Sequence, residues 1–250
     1  MRLCVFDLDH TLIRSPLDLA AMALDMRGHL EGRWRPLPTR PERYRVGELI
    51  ALCQAEAPHL EPDLWSIALD HERKAVGGAS LEPGAMEAVL GARAVGFHTA
   101  LWTNNAREVT LHALTRCGLD ALLDITVTRD EMRQLKPHPD GWRVICEIAM
   151  TAGLHVPLEA PTPSVSPRGA TGPPGRPERP GGLGGPLEAP QAVVVGDSWV
   201  DGAAAGAAGV PFIAYRTNPR DLERWKVTPV ATLAHLAELP ALLTKLRESD

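Results

Sequence analysis

The sequence predicts an α/β protein built on a doubly wound parallel sheet, and three observations carry that prediction. Short apolar runs of strand length alternate with longer segments whose apolar residues recur at helical spacing, the pattern of repeated strand–helix–strand units. Three of those runs stop in residues that seldom end a strand without reason: Asp7 and Asp9, Thr103, and Asp197. In open α/β sheets ligands bind beyond the carboxyl ends of the strands, so these side chains are expected at one edge of one sheet.

The first strand is Leu3 to Phe6, too short for a helix and flanked by polar residues. Side chains alternate along an extended backbone, so Asp7 and Asp9 are expected to face one ligand, with Thr11 completing an Asp-x-Asp-x-Thr pattern. Ser15 followed by Pro16 reads as a helix cap and first helical residue, and Leu17, Leu19, Ala20, Ala23, Leu24 and Met26 continue at helical spacing. From Arg27 to Arg45 the chain is basic and broken by prolines; two further helices are expected at roughly 41–57 and 62–76, each opened by proline. Residues 17–80 therefore read as a helical block inserted after the first strand, and residues 1–16 and 81–250 as the α/β core.

Glu82-Pro83-Gly84 opens a helix to about Ala94, and Phe97 to Trp102 is the next strand, ending in Thr103-Asn104-Asn105. A helix from Arg107 to Cys117 stops at Gly118, which suits a left-handed cap. Ile125 to Thr128 is the third strand, Leu135-Lys136-Pro137 follows, and Asp140 is expected to cap a helix closed by Gly153. Residues 157–190 hold ten prolines and seven glycines, too few large apolar side chains to offset the entropy of ordering, and read as a disordered insertion. Two Pro-x-x-Pro patterns in it, 174–177 and 177–180, fit a docking segment for a protein partner, but an inert surface loop between a helix and a strand is the favoured reading. Ala192 to Gly196 and Phe212 to Tyr215 supply the fourth and fifth strands, separated by a small-residue helix from Asp201.

A net charge of −5 argues against nucleic acid as a partner, because no basic surplus is present to neutralise phosphates. No apolar run approaches the roughly 20 residues that span a bilayer, and no signal-like segment precedes the first strand, so a cytoplasmic protein without a membrane partner is expected. Cys4, Cys53, Cys117 and Cys146 are widely spaced and read as reduced core residues. Asp7, Asp9, Asp197 and Asp201 gathered at one sheet edge would repel one another and call for a cation. Carboxylate and carbonyl oxygens without His or Cys favour a hard ion, and Mg²⁺ suits a site that also accepts a phosphate.

Asp7-Leu8-Asp9-His10-Thr11, Thr103-Asn104, Lys136-Pro137 and Gly196-Asp197-Ser198 with Asp201 occur in the order found in the haloacid dehalogenase superfamily, and the chain resembles its phosphoglycolate-phosphatase-like branch. The resemblance implies a helical cap at 17–80 over a Rossmann-like core and a Mg²⁺-dependent phosphatase acting on a small phosphorylated metabolite. Asp7 would be the nucleophile that forms an aspartyl-phosphate, and Asp9 the general acid and base. Thr103, Asn104 and Lys136 would hold the phosphate. Asp7, Asp197 and the carbonyl of Asp9 would bind the metal, with Asp201 orienting its waters or Lys136. His10 stands where many members of the superfamily carry glycine. A phosphomutase of the same superfamily and a partner-binding protein using the 157–190 insertion are the alternatives. The intact set of Asp7, Asp9, Lys136 and Asp197 speaks for an enzyme.

Overall fold

The computed structural model describes residues 2–153 and 192–248. The expected 157–190 insertion lies outside the described residues. In chain order the strands and α-helices are β1 (Leu3–Phe6), β2 (Ile13–Arg14), α1 (Leu19–Arg33), α2 (Val46–Glu56), α3 (Glu61–Val76), β3 (Ser80–Leu81), α4 (Ala85–Ala94), β4 (His98–Trp102) and α5 (Arg107–Cys117). They continue with β5 (Ile125–Val127), α6 (Asp140–Thr151), β6 (Ala192–Gly196), α7 (Trp199–Ala207), β7 (Phe212–Tyr215), α8 (Pro219–Arg224), β8 (Ala231–Leu233) and α9 (Leu239–Glu248).

The main sheet runs β5-β4-β1-β6-β7-β8 and every pairing in it is parallel. The strand order reverses at β1, where the chain leaves to one side through β4 and β5 and returns to the other through β6. That crevice is the topological switch point, and it gathers the carboxyl ends of β1, β4 and β6. Both faces of β1 are covered, as its unbroken apolar sequence requires. Cys4 and Phe6 pack with Val89, Leu101 and Leu243 on one face; Leu3 and Val5 pack with Ile145, Val194 and Ala204 on the other. Each fully buried Leu or Val of this kind contributes on the order of 2 kcal/mol.

Helices α1 to α3 share a separate apolar cluster that includes Met22, Met26, Leu30, Leu49, Cys53 and Leu64. The chain enters and leaves this helical segment through β2 and β3, two-residue strands that pair antiparallel, Ile13 opposite Leu81. Glu82, which is buried just after β3, receives hydrogen bonds from Arg14 (2.8 Å), the Tyr215 hydroxyl (2.8 Å) and Arg216 (2.9 Å), tying the two crossings to the end of β7.

Several expected boundaries move. Asp18, not Ser15, caps the first helix: its Oδ1 accepts from the N–H groups of Ala20 (2.9 Å) and Ala21 (3.0 Å). The helix after the basic stretch begins at Val46 rather than Pro41, because Arg45 is still extended. Asp140 lies inside the first turn of α6 rather than capping it, its carboxylate accepting from Arg133 N–H instead. The small-residue helix α7 begins at Trp199 rather than Asp201, with Ser198 as its cap residue. A sixth strand, β8, extends the sheet beyond the five expected.

Candidate active site

The structure brings together at one sheet edge the residues that the sequence spaced over 195 positions, from Asp7 to Asp201. Asp7 follows β1 directly, its N–H held by Val195 O of the neighbouring strand at 2.9 Å. Lys136 reaches in from the loop after β5. Its Nζ donates to Asp7 Oδ1 (2.6 Å), Trp102 O (2.8 Å) and Asp201 Oδ1 (2.5 Å), which uses all three ammonium hydrogens. Burial alone would favour a neutral lysine; the Asp201 and Asp7 carboxylates outweigh it and raise the Lys136 pKa above its ordinary value.

Asn104 fixes that lysine from behind. Its side chain accepts from Lys136 N–H (2.9 Å) and donates to Lys136 O (3.1 Å), a two-point grip on the main chain. Thr103 is buried at the end of β4, and its Oγ1 accepts from Asn105 N–H at 3.2 Å. Asp201 completes a capping box with Ser198, whose hydroxyl donates to Asp201 Oδ2 at 2.5 Å. The close approach of Asp201 to β6 depends on Gly196: a Cβ there would fall 2.6 Å from the Asp201 Cβ and Cγ.

Carboxylate oxygens of Asp7, Asp197 and Asp201 lie within 4.8 Å of one another. Burial, then repulsion from Asp201, pushes Asp7 up to about 7 despite Lys136; burial, then repulsion from Asp7 and Asp201, pushes Asp197 up to about 8. One lysine therefore leaves the cluster short of positive charge. The donors are oxygens alone, so the site fits a hard divalent cation.

Asp9 is placed differently from the simple alternation along β1. The strand ends at Phe6, Leu8 turns into the core, and His10 adopts a left-handed conformation with φ of 57°. Asp9 Oδ2 accepts from Asn105 Nδ2 at 2.6 Å, so its carboxylate is held by the loop after β4 and is not one of the three clustered carboxylates. Burial raises its pKa, partly offset by the Asn105 bond. The side-chain cluster thus consists of Asp7, Asp197 and Asp201. Thr11 is fully buried, and its hydroxyl has no hydrogen-bond partner among the described residues.

Sequence reasoning missed Asn105, which stood next to the expected pair but had no role, and two residues that meet beside it. Glu72 on α3 receives Arg129 Nη1 at 2.6 Å and Nη2 at 3.2 Å, and the Arg129 guanidinium lies 4.8 Å from the Trp65 ring centroid. A signal for Glu72 existed: it falls on the buried stripe of α3, with Leu64, Ala68, Ala75 and Val76, where an apolar residue belongs.

A parallel switch-point sheet with an acid-and-lysine site of this kind defines a class, and comparison with known proteins identifies it. The model of the haloacid dehalogenase-like hydrolases matches residues 1–152, and the chain belongs to that family. Phosphoglycolate phosphatase of Cereibacter sphaeroides is 26% identical over 252 residues, covering 97% of both chains. The plasmid phosphoglycolate phosphatase of Cupriavidus necator is 28% identical over 171 residues, a match that spans 67% of this chain and 58% of that relative's length. Among solved structures, a haloacid dehalogenase-like hydrolase of Bacteroides fragilis superposes with a TM-score of 0.60 at 17% identity, over 95% of this chain and 99% of that one, which bears on the fold alone. Within its family the chain is a phosphatase similar to the phosphoglycolate phosphatases.

Proposed function

We propose that the chain is a Mg²⁺-dependent phosphatase that hydrolyses a small phosphomonoester through a phosphorylated Asp7. The observation that carries this reading is the Lys136 ammonium, locked between Asp7 and Asp201 beside a cluster of acids that still lacks positive charge. Residues 1–16 and 81–250 are the catalytic core in this account, and residues 17–80 a cap that screens the site from bulk water.

In the first step an Asp7 carboxylate oxygen attacks phosphorus, the bond from phosphorus to the ester oxygen breaks, and the Asp9 carboxyl gives its proton to the departing alkoxide. Burial raises the Asp9 pKa above the ordinary carboxylate value, the direction that favours a proton donor. In the second step the Asp9 carboxylate takes a proton from water, the water oxygen bonds to phosphorus, and the bond to Asp7 breaks, releasing inorganic phosphate and restoring both acids. The Thr103 hydroxyl hydrogen and the Asn104 main-chain N–H hold the phosphoryl oxygens, and the Lys136 ammonium neutralises charge between Asp7 and the bound phosphate. Asp7, Asp197 and the Asp9 carbonyl would hold Mg²⁺, which supplies charge neutralisation for the phosphoryl group. Asp201 fixes Lys136.

The names of the relatives, which specify phosphoglycolate, support a small acidic phosphomonoester as the first candidate. The test is release of inorganic phosphate from p-nitrophenyl phosphate and a panel of small phosphomonoesters with Mg²⁺ or with EDTA. Metal-dependent release supports the proposal. Conversion of a monophosphate to its isomer without net release would replace it with a phosphomutase, and no chemistry on any ester would turn attention to a binding role for the 157–190 segment.

A further inference from the structure

The buried ion pair between Glu72 and Arg129 has no part in the chemistry above, yet it grips the loop that carries the chemistry. The Glu72 and Arg129 side chains are 4% and 10% exposed. Removing two charges from water costs several kcal/mol per ion, and apolar side chains in their place are often no less stable, so such a pair is weak evidence for stability alone.

Its hydrogen bonds suggest another use. Glu72 Oε2 also accepts from the main-chain N–H of Ala106 at 3.2 Å. Arg129 Nη1 reaches Asn104 O at 3.4 Å, and Arg129 N–H donates to Asn105 O at 3.0 Å. The peptide units from 104 to 106 are thereby held on both sides by one pair. Asn105, in the middle, is the residue whose side chain holds Asp9 Oδ2 at 2.6 Å. A residue of the helical segment thus reaches the carboxylate of Asp9 through one loop, with the α3 helix as its mount and Trp65 on the same helix packed on the guanidinium.

We propose that Glu72 is a positioning residue for Asp9: through Arg129 and Ala106 it sets the 104–106 loop so that Asn105 aligns the Asp9 carboxyl with the leaving oxygen. This rests on the phosphatase reading and on the acid role of Asp9. Its consequence is that the alignment of the acid depends on α3 being seated against the core.

The discriminating property is the leaving group. p-Nitrophenolate departs at neutral pH without a proton; a primary alkoxide does not. Misalignment of the acid therefore penalises alkyl esters selectively, whereas general loosening of the fold penalises both alike. Glu72→Ala would strand a buried guanidinium and is expected to unfold at lower temperature, so the decisive variant is Glu72→Leu/Arg129→Met, which removes both charges together. We expect kcat/KM on a primary alkyl phosphate to fall about tenfold more than on p-nitrophenyl phosphate, a fraction of the effect assigned to general acid catalysis, with the melting temperature close to that of the wild type. Equal losses on the two esters, or no loss on either, would overturn the inference. A wild type that turns over neither ester would overturn the phosphatase reading itself, and this inference with it.

Discussion

Lys136 shows how a single side chain organises the site. It is buried, it is charged, and every one of its hydrogens has an acceptor. Removing Asp201 leaves one hydrogen of the buried ammonium without its acceptor and also breaks the capping box at the start of α7. Asp201→Ala is therefore expected to destabilise the protein by about 3 kcal/mol, read by urea unfolding, and to lower turnover even at temperatures where the fold is intact. Unchanged unfolding would contradict the account of that pair. Lys136, Asp7 and Asp197 could be singled out from the chain because motif order marks all three and strand ends mark the two aspartates. Asn105 and Glu72 were not, because their roles depend on which way a side chain leaves a loop or a helix, and one-dimensional spacing does not carry that direction. Glu72 differs in having left a trace, a charge within an apolar stripe.

At the scale of elements, what the sequence announced were the features with a strong periodic or steric cause. Helix α5 ends at Cys117 as expected because Gly118 takes the left-handed conformation, φ 68°, that a capping residue there requires. Weakly patterned elements were missed: β2 and β3 are two residues long, and β8 is a three-residue strand with one buried side chain. The cap of α1 was misread because Ser15, Pro16 and Asp18 all carry helix-start chemistry, and only the fold selects Asp18. Helix α6 shows an element held by a close approach that no pattern reveals. Gly141 in its first turn faces the indole of buried Trp102, and a Cβ there would stand 2.0 Å from Nε1. Gly141→Ala should cost about 2 kcal/mol as overpacking, measured by thermal or urea unfolding; a neutral outcome would show that α6 is not seated against β4 as described.

For the whole molecule, the parallel sheet and its site edge were readable because strand–helix alternation and the position of the acids point the same way. Strand order was not, since the sequence cannot say on which side of β1 each later strand will lie. The same sheet explains a property of the metal-free protein. Asp7 and Asp197, whose carboxyls would ordinarily titrate near 3.8, are raised to about 7 and about 8 by burial, then by repulsion from Asp201 at Asp7 and from Asp7 and Asp201 at Asp197. Over that interval the native state retains protons that the unfolded chain has released, so the contribution of these groups to stability is fully present below about pH 4 and is lost as pH rises through 7 to 8. A divalent cation at the acids competes with the protons. The gain in melting temperature on adding Mg²⁺ should therefore grow from about pH 6 to pH 8. A gain that is flat or falls with pH would contradict the metal placement.

The central claim is that Asp7 is the nucleophile of a metal-assisted phosphoryl transfer. Its most direct measurement is phosphate release by the wild type and by Asp7→Asn, on the best ester of the panel, with Mg²⁺ and with EDTA. The substitution preserves shape and removes the attacking charge. The account predicts Mg²⁺-dependent turnover in the wild type and a loss of about a thousandfold or more in a folded Asp7→Asn; comparable turnover by the variant would contradict it.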